Sequence, residues 1–338
     1  MSAERATQQR PWPCRGAPRS AETRTGLGST RVGLQQVVRS LMLLLPVVLG
    51  SAISPHRASL RAPSFSRLAH AGIRTNRVVD LRGRTFSLRD EFVLPADATL
   101  SIRAGTLVGD AHSLFKLPRN RAQLVMEDVE IHHLGSPRRA LRRELGGAIF
   151  ALGKSQVLLR NCTVSSEHGF GLWLVQKARV MLSGCLISQC GRSGAVCFGH
   201  SRLALHDTTI DSCRLHGVCT RGGTHVSLVN SVVSNAGVRG IYAYHNATLH
   251  LIRSRVEGTR DATAAAVQVE ALRPEDRATL VMDAACRLRD NAGEDLRVSG
   301  TVDVTHRPRV QRGRDAHRSE RGAAPTLHLR GARGRAAV

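Results

Sequence analysis

A 23-residue repeat dominates the middle of this sequence, from Ala148 to about Ala262. Five copies follow one another without a gap. Their anchor positions are Ala148, Gly171, Gly194, Gly217 and Gly240. Each copy has apolar residues one, nine, eleven and sixteen positions after its anchor, such as Val157, Leu159 and Val164 in the first copy. Self-similarity at a fixed period of about 20–50 residues is typical of stacked repeat units. The chain is therefore expected to fold as a repeat array.

The apolar positions within one copy are two residues apart, which is the periodicity of β-strands. Each copy contains three such stretches: one after the anchor, one near position nine and one near position fourteen. A predicted corner separates the last two stretches. The corner residues are Asn161, Gly184, Asp207, Asn230 and Arg253. Asn, Asp and Gly suit a corner because they tolerate left-handed backbone, and the anchor glycines are expected to serve another sharp bend. Three strands and three bends describe one coil of a right-handed parallel β-helix.

Short segments at equal positions in the copies indicate a family. The segments NCTV (161–164), DTTI (207–210) and NSVV (230–233) recur after openings such as GIYAY (240–244). These segments resemble the parallel β-helix repeats of the pectate-lyase-like superfamily. The resemblance covers roughly residues 80–304 and implies an all-β fold, a single-stranded right-handed parallel β-helix of about nine to ten coils. It implies architecture only, because the acid clusters of pectate lyases and polygalacturonases are not matched.

Composition changes at both ends of the repeat region. Residues 1–79 carry 12 arginines and two acids, and residues 305–338 carry nine arginines and two acids. The sequence therefore predicts a targeting or low-complexity region over 1–79, the β-helix over 80–304 and a disordered Arg-rich tail over 305–338. Of the formal net charge of +23, only +6 belongs to residues 80–304. Since that region shows no clustered basic face with interleaved aromatic residues, specific nucleic-acid binding is not expected.

One apolar run, Leu41–Ile53, interrupts the N-terminal region. It contains 13 residues including Pro46, and a membrane span needs about 20. The run favours a secretory signal or signal anchor, with Gly50 and Ala52 as small residues before a cleavage point. An organellar transit peptide, or no targeting role in a cytoplasmic protein, are the alternatives. In the secretory pathway, which the sequence favours, Asn246 of Asn-Ala-Thr is a candidate glycosylation site.

Eight cysteines raise the question of disulfides, and seven of them fall in the repeat region. Cys162 and Cys185 share one column of the aligned copies, and Cys190 and Cys213 share another. Side chains stacked in one column point in parallel, whereas a disulfide needs converging Cβ atoms. Buried free thiols are therefore predicted. No Cys or His cluster has metal-ligand spacing, so neither a metal nor another cofactor is predicted. The histidines of the repeats fall in different columns and are expected to be exposed: they are His168, His200, His206, His216, His225, His245 and His250.

The first strand of each coil carries the candidate site. Its outward positions ought to be polar if that side of the strand met only water, yet most are apolar or aromatic. These positions are Phe150 and Leu152, Trp173 and Val175, Val196 and Phe198, Cys219 and Arg221, and Tyr242 and Tyr244. Aromatic residues make up only 3% of the protein, so their gathering on one strand indicates an interaction surface. We call this outward surface of the first strands the aromatic face.

Three interpretations of the aromatic face compete. β-helix enzymes that resemble this fold bind a polysaccharide along the corresponding face, which implies an extended glycan ligand. The resemblance to β-helix domains of adaptor proteins implies docking of a protein partner onto a monomer. In the third interpretation, the insert Gly135–Leu145 or the N-terminal segment covers the face. The predicted ligand-contacting residues are Phe150, Trp173, Phe198, Arg221, Tyr242, Tyr244 and Gln268.

Catalysis has less support in the sequence. Glycoside hydrolysis needs two carboxylates within about 10 Å, and a calcium-dependent lyase needs several around one ion. The outward first-strand positions of the five regular coils contain neither Asp nor Glu. The next coil contributes Glu270, and Arg221 is two coils away in the same column. These two residues are the candidate catalytic pair of a polysaccharide lyase or hydrolase, but the sequence favours a non-catalytic or degenerate module.

Overall fold

Parallel strands account for more than half of the residues that the structure describes. The computed structural model describes residues 62–65, 76–118, 121–135 and 146–307. The apolar run Leu41–Ile53, residues 136–145 of the predicted insert and the tail from residue 308 lie outside these ranges. Within the described ranges, no helix has the length and apolar character needed to cross a membrane.

The described residues contain 26 strands. In chain order they are β1 (Asn76–Asp80), β2 (Thr85–Leu88), β3 (Phe92–Val93), β4 (Thr99–Gly109), β5 (Ser113–Leu117), β6 (Gln123–His133), β7 (Gly147–Ala151), β8 (Gln156–Arg160), β9 (Thr163–Ser166), β10 (Phe170–Leu174), β11 (Arg179–Ser183), β12 (Leu186–Ser188), β13 (Ala195–Phe198), β14 (Arg202–His206), β15 (Thr209–Asp211), β16 (His216–Arg221), β17 (His225–Val229), β18 (Val232–Ser234), β19 (Arg239–Tyr244), β20 (Thr248–Ile252), β21 (Arg255–Glu257), β22 (Val267–Glu270), β23 (Ala278–Asp283), β24 (Arg287–Arg289), β25 (Leu296–Ser299) and β26 (Val302–Arg307).

The strands form two parallel sheets that wind into a solenoid. The first strands of the coils make a nine-stranded sheet in the order β3, β5, β7, β10, β13, β16, β19, β22 and β25. We call it the first-strand sheet. The second and third strands make a 17-stranded sheet that folds around a corner. The structure therefore confirms the predicted all-β parallel β-helix, with about nine coils. Its strands extend slightly beyond residues 80–304, from Asn76 to Arg307.

Strand pairing confirms the 23-residue register. Leu172 pairs with Ala195, which lies 23 residues further along the chain, and Ile187 pairs with Ile210 in the same way. Residues of one column therefore stack on their equivalents in the next coil, at a strand spacing of about 4.8 Å. The inward columns form one continuous core, in which Leu172, Ile187 and Ile210 are fully buried.

The corners between strands use left-handed backbone. The predicted corner residues Asn161, Gly184, Asp207, Asn230 and Arg253 have φ angles between 48° and 64°. This confirms the predicted corner. Two further columns have positive φ as well. They consist of Gly153, Gln176, Gly199, Gly222 and His245, and of Gln189, Ser212, Asn235, Gly258 and Asp290.

The anchor glycines have a different role from the predicted one. None of Gly171, Gly194, Gly217 and Gly240 has a positive φ angle, so the prediction that they serve a sharp bend is wrong. A Cβ atom at Gly217 would lie 2.2 Å from Cγ1 of Val233 and 2.7 Å from the carbonyl oxygen of Gly240. The column is glycine because the third strand of the coil and the neighbouring first strand leave no room for a side chain.

A ladder of small polar side chains follows the first corner, at Cys162, Cys185, Thr208, Ser231 and Ser254. Each hydroxyl or thiol donates a hydrogen bond to the carbonyl two residues earlier. Each backbone N–H, up to that of Ser231, donates to the ladder side chain of the next coil. The two thiols therefore stand in for hydroxyls. All seven described cysteines are free, and all except the half-buried Cys286 are buried, which confirms the thiol prediction.

The core register can be tested with two neighbouring substitutions. Leu182 is fully buried, whereas the adjacent Met181 is 49% exposed. We expect Leu182→Asp to lower the free energy of unfolding by at least about 3 kcal/mol, because it buries an unpaired carboxylate. Met181→Asp places the same group in water and should change stability by less than about 1 kcal/mol. Urea unfolding of the two variants checks this, and equal losses would contradict the register.

The burial of six cysteines predicts that their thiols react slowly with a thiol reagent. In the native protein, Cys162, Cys185, Cys190, Cys197, Cys213 and Cys219 should be unreactive because they are buried. Cys286 should react faster, since it is partly exposed. Peptide mapping after timed alkylation, with and without denaturant, measures each rate. Rapid native labelling of Cys162 or Cys190 would show that these columns open.

Candidate functional site

The first-strand sheet carries apolar side chains on both of its sides. Inward residues such as Ile149, Leu172 and Ile241 belong to the main core. Outward residues form a second, separate cluster. Its buried members are Phe170, Val196 and Cys219, and Trp173, Phe198, Tyr242 and Tyr244 pack against them. The predicted alternation of the first strand is thus confirmed, and the aromatic face is a packed layer.

The aromatic face has a buried base and half-buried rings. Val196 and Cys219 are 3% and 4% exposed, and Gln268, a predicted contact residue, is 4% exposed. The rings of Phe150, Trp173, Phe198, Tyr242 and Tyr244 are half-buried. The interpretation that the chain covers this face with the insert Gly135–Leu145 or the N-terminal segment falls almost wholly outside the described residues. The half-buried rings are the part of the face that stays partly accessible.

Aromatic rings contact one another at the N-terminal half of the face. Phe150 stacks on Trp173 of the next coil, with ring centroids 4.6 Å apart and an interplanar angle of 26°. Phe170 packs against the same indole at 5.7 Å. The guanidinium of Arg192 lies over the ring of Phe170, 5.6 Å from its centroid. The ring of Trp173 is therefore engaged by two other rings of the protein.

The tyrosines at the C-terminal half of the face are arranged similarly. Tyr242 and Tyr244 stack with centroids 4.7 Å apart and an angle of 22°. Arg239 lies 4.6 Å over the ring of Tyr242, and Arg221 lies 5.9 Å over that of Tyr244. Such stacking and cation–π contacts use the ring faces. What the rings offer to a ligand is chiefly their edges and the guanidinium groups above them.

A hydrogen-bonded chain of polar groups continues from Tyr242 into the next coil. The hydroxyl of Tyr242 donates to Oε2 of Glu270 at 2.7 Å, and the amide of Gln268 donates to Oε1 of Glu270 at 2.6 Å. Nε of Arg239 donates to Oε1 of Gln268 at 2.5 Å. Burial and the neighbouring Glu270 carboxylate raise the pKa of Tyr242, so this phenol stays protonated at neutral pH.

The candidate catalytic pair is placed in one column, as predicted. Strand pairing puts Arg221 beside Tyr244, and Tyr244 beside Glu270. Tyr244 therefore separates the two side chains, and the described structure shows no ion pair between them. Glu270 is held by Tyr242 and Gln268 instead. Among the described residues, no group of three or more His, Cys, Asp or Glu side chains is placed to hold a metal ion.

A histidine–aspartate pair lies next to the tyrosines, and the sequence did not predict it. Nδ1 of His245 is 2.6 Å from Oδ2 of Asp276, and the ring of His245 lies 5.3 Å from that of Tyr244. This hydrogen bond lowers the pKa of Asp276. The same carboxylate accepts a hydrogen bond from Nδ2 of Asn246 at 3.3 Å. Nδ2 is the atom to which a glycan would be attached. The feature of the sequence that could have indicated this pair is the longer bend at residues 271–276.

His216 contradicts the expectation that the histidines are exposed. It is 6% exposed, its ring lies 5.7 Å from that of Tyr242, and its Nδ1 has no hydrogen-bond partner among the described residues. Burial and the charge of Arg239 lower its pKa to about 4, so His216 is neutral at pH 7. The indole Nε1 of Trp173 is also buried and unpartnered in the described structure. Buried polar atoms of this kind are uncommon in proteins, and both belong to this side of the first-strand sheet.

One column of the repeat was overlooked in the sequence. Phe170, Ser193, His216 and Arg239 each precede an anchor glycine, and they are 23 residues apart. Strand pairing places His216 beside Arg239, as expected for neighbours in one column. Three of the four contact an aromatic ring of the face or a group above it. The periodic spacing was the signal that could have extended the predicted site.

Comparison with known families agrees with this geometry. Residues 120–271 match the family model described as right handed beta helix region. This part of the chain is a right-handed parallel β-helix. The matched range begins just before β6 and ends after Glu270, so it includes the entire aromatic face. No curated protein and no solved structure gives a significant match to the chain. The match describes architecture, and the relation to pectate lyases stays a prediction.

The burial of His216 predicts a pH dependence of stability. Its pKa is about 4 in the folded protein and about 6.5 in an unfolded chain. As the pH falls through this window, the unfolded chain binds a proton that the folded chain does not, so stability decreases. Between pH 7 and pH 5 this decrease should be roughly 2 kcal/mol. In His216→Phe, which keeps a ring beside Tyr242, the loss should be smaller by that amount.

Urea unfolding at the two pH values measures the effect. His200, which is exposed, provides the control: His200→Phe should keep the full pH dependence of the wild type. If His216→Phe and His200→Phe show the same dependence, His216 is not the buried titrating group described here.

Proposed function

We propose that this β-helix is a non-catalytic module that binds a protein partner through the aromatic face. The observation that carries the proposal is the engagement of the rings with one another and with arginine side chains. A sugar that stacks on an aromatic residue needs a free ring face. Here Phe150 stacks on Trp173, and Tyr242 stacks on Tyr244 under Arg239. This arrangement favours docking of a protein against ring edges over stacking of a glycan chain.

The composition of the face supports a protein partner. Trp, Tyr and Arg are the residues most enriched where a few side chains dominate protein–protein affinity. The aromatic face joins Trp173, Tyr242 and Tyr244 over a base that already excludes water, because Val196 and Cys219 are buried. Such a ridge is preorganised, since its rings are held by their neighbours. A partner then loses little free energy in ordering this surface.

Charge on the face favours an acidic partner segment. Arg192, Arg221 and Arg239 each lie over an aromatic ring of the face. Glu270, the carboxylate among the predicted site residues, is already bonded to Tyr242 and Gln268. We therefore expect an extended segment with Asp or Glu side chains, whose carboxylate oxygens contact the guanidinium groups.

The state of the cysteines supports the same class of partner. Seven free thiols lie in the described coils, including two columns in which cysteines of neighbouring coils stack. Proteins of oxidising compartments generally carry cysteines in disulfides, and chains rich in reduced thiols are typical of reducing compartments. A reducing compartment, where an adaptor-type role is expected, accounts better for the thiols than secretion does. The predicted secretory location and glycan ligand remain the alternatives that experiment must separate.

The enzymatic alternative has weaker support. A retaining or inverting glycosidase places two carboxylates about 5–10 Å apart, one of them free to act as a base or nucleophile. Glu270 is engaged by Tyr242 and Gln268, and Asp276 is engaged by His245 and Asn246. Arg221 lies over Tyr244 and does not pair with Glu270. These groups therefore stabilise the surface of the protein, and none of them is placed as a catalytic acid or base.

Peptide display tests the proposal. Random dodecapeptides selected on the full chain should be rich in Asp and Glu, and calorimetry should show weaker binding at high salt because the contacts are between charges. We expect Trp173→Ala to weaken binding by about tenfold or more, since it removes a central aromatic anchor. Arg221→Glu should have an effect of similar size through charge reversal.

Arg179→Glu is the matched control, because Arg179 is exposed on the second strand, away from the first-strand sheet. It should leave the affinity for the selected peptides unchanged. A glycan array is screened in parallel with the same variants. Glycan binding that is lost in Trp173→Ala, in the absence of peptide binding, would replace the protein-partner proposal by the glycan alternative.

A further inference from the structure

The two ends of the β-helix core differ. At the N-terminal end, Phe65 is fully buried and packs edge-on against Phe92 and Phe115, with ring centroids 5.5 Å and 6.0 Å apart. These three rings close the core. At the C-terminal end, the inward residues of the last three strands, β24, β25 and β26, are only partly buried. They are Leu288, Leu296, Val298, Val302 and Val304. We call these five residues and the strands that carry them the open end.

The strands of the open end each have one partner in the described structure. β24 pairs with β21, β25 pairs with β22, and β26 pairs with β23. Their outer edges therefore present backbone N–H and C=O groups beside half-exposed apolar side chains. Solenoids need a terminal element that covers such an edge, because an open edge is a template for pairing with another strand. β26 is the longest of the three, with six residues.

A segment of the C-terminal tail has the sequence of a second strand. Residues 326–329 read Thr-Leu-His-Leu, the same four residues as Thr248–Leu251 in β20. Gly331 follows Leu329 by two positions. Gly184 follows Leu182 by the same two positions and forms the left-handed corner after β11. The tail segment therefore carries both the apolar alternation of a second strand and a residue suited to the corner after it.

The spacing of this segment matches one coil. Eighteen residues separate Val229 of β17 from Thr248 of β20, and eighteen separate Asp283 of β23 from Val302 of β26. Eighteen residues also separate Arg307, the last residue of β26, from Thr326. Leu327 lies 23 residues after Val304, which is the repeat period. The chain between the two is therefore long enough for one more turn around the solenoid.

We propose that residues 326–329 bind along the outer edge of β26 and cover the open end. Leu327 then lies over Val304, just as Val304 lies over Leu280 in the pair of β23 and β26. The added strand completes the hydrogen bonds of β26, as in recognition by β-strand addition. This occupant belongs to the chain itself, so the contact is independent of the partner proposed for the aromatic face.

Amide hydrogen exchange of the full chain, followed residue by residue by NMR, tests this proposal. In a parallel strand, alternate N–H groups point to opposite edges. If the tail binds, both sets of amides in Val302–Arg307 are protected in the wild type. In the double variant Leu327→Asp with Leu329→Asp, the outer set should exchange about tenfold faster or more, while the set bonded to β23 stays protected.

His328→Asp is the matched control, because it introduces the same charge at the position expected to face outward. It should leave β26 protected. Deletion of residues 325–338 should reproduce the effect of the double variant. Equal exchange in the wild type and the double variant would overturn the proposal. Protection that rises with protein concentration would overturn it as well, since it would assign the open end to a second copy of the chain.

Discussion

The stacking of equivalent residues at the spacing of one coil is the interaction on which this structure depends. Leu172, Ala195 and Val218 occupy one column and pair in register from coil to coil. An apolar column excludes water from two neighbours at once, so each coil stabilises the next. The same rule that builds the core also builds the aromatic face, because outward residues stack as strictly as inward ones. A side chain that would be isolated on another fold becomes part of a ridge here.

Regular stacking also requires hydrogen-bond partners for the backbone N–H and C=O groups at the corners. The ladder of Cys162, Cys185, Thr208, Ser231 and Ser254 provides them. Each member after Cys162 accepts a backbone N–H from the previous coil, and every member donates to the carbonyl two residues earlier. The anchor glycines meet a second demand, for space between the first and third strands. Both columns are therefore selected by contacts between coils. Neither reflects a preference of the single residue for a turn.

Much of the fold was predictable from the sequence because each structural role recurs every 23 residues. The strands, the corner at Asn161 and its equivalents, and the free thiols follow from columns. The parts that were missed depend on contacts that one column does not contain. Asp276 reaches His245 only because an irregular bend brings it there, and the stacking of Tyr242 on Tyr244 is a matter of rotamers. The role of the anchor glycines was missed because their close neighbours lie in the third strand and in the next coil. A single column does not show those neighbours.

The aromatic face carries large apolar side chains that the described structure buries only in part. Sheets of parallel strands usually have both sides covered, and apolar residues on both sides are the pattern of such a sheet. The first-strand sheet has this pattern, yet its outward rings are half-buried in the described structure. Arg221 and Arg239 reduce this exposure, because their guanidinium groups lie over the rings of Tyr244 and Tyr242. If the proposed acidic segment binds here, these guanidinium groups are the ones that it would contact. Covering of the free rings and selection of the partner would then be two consequences of the same arginine–tyrosine contacts.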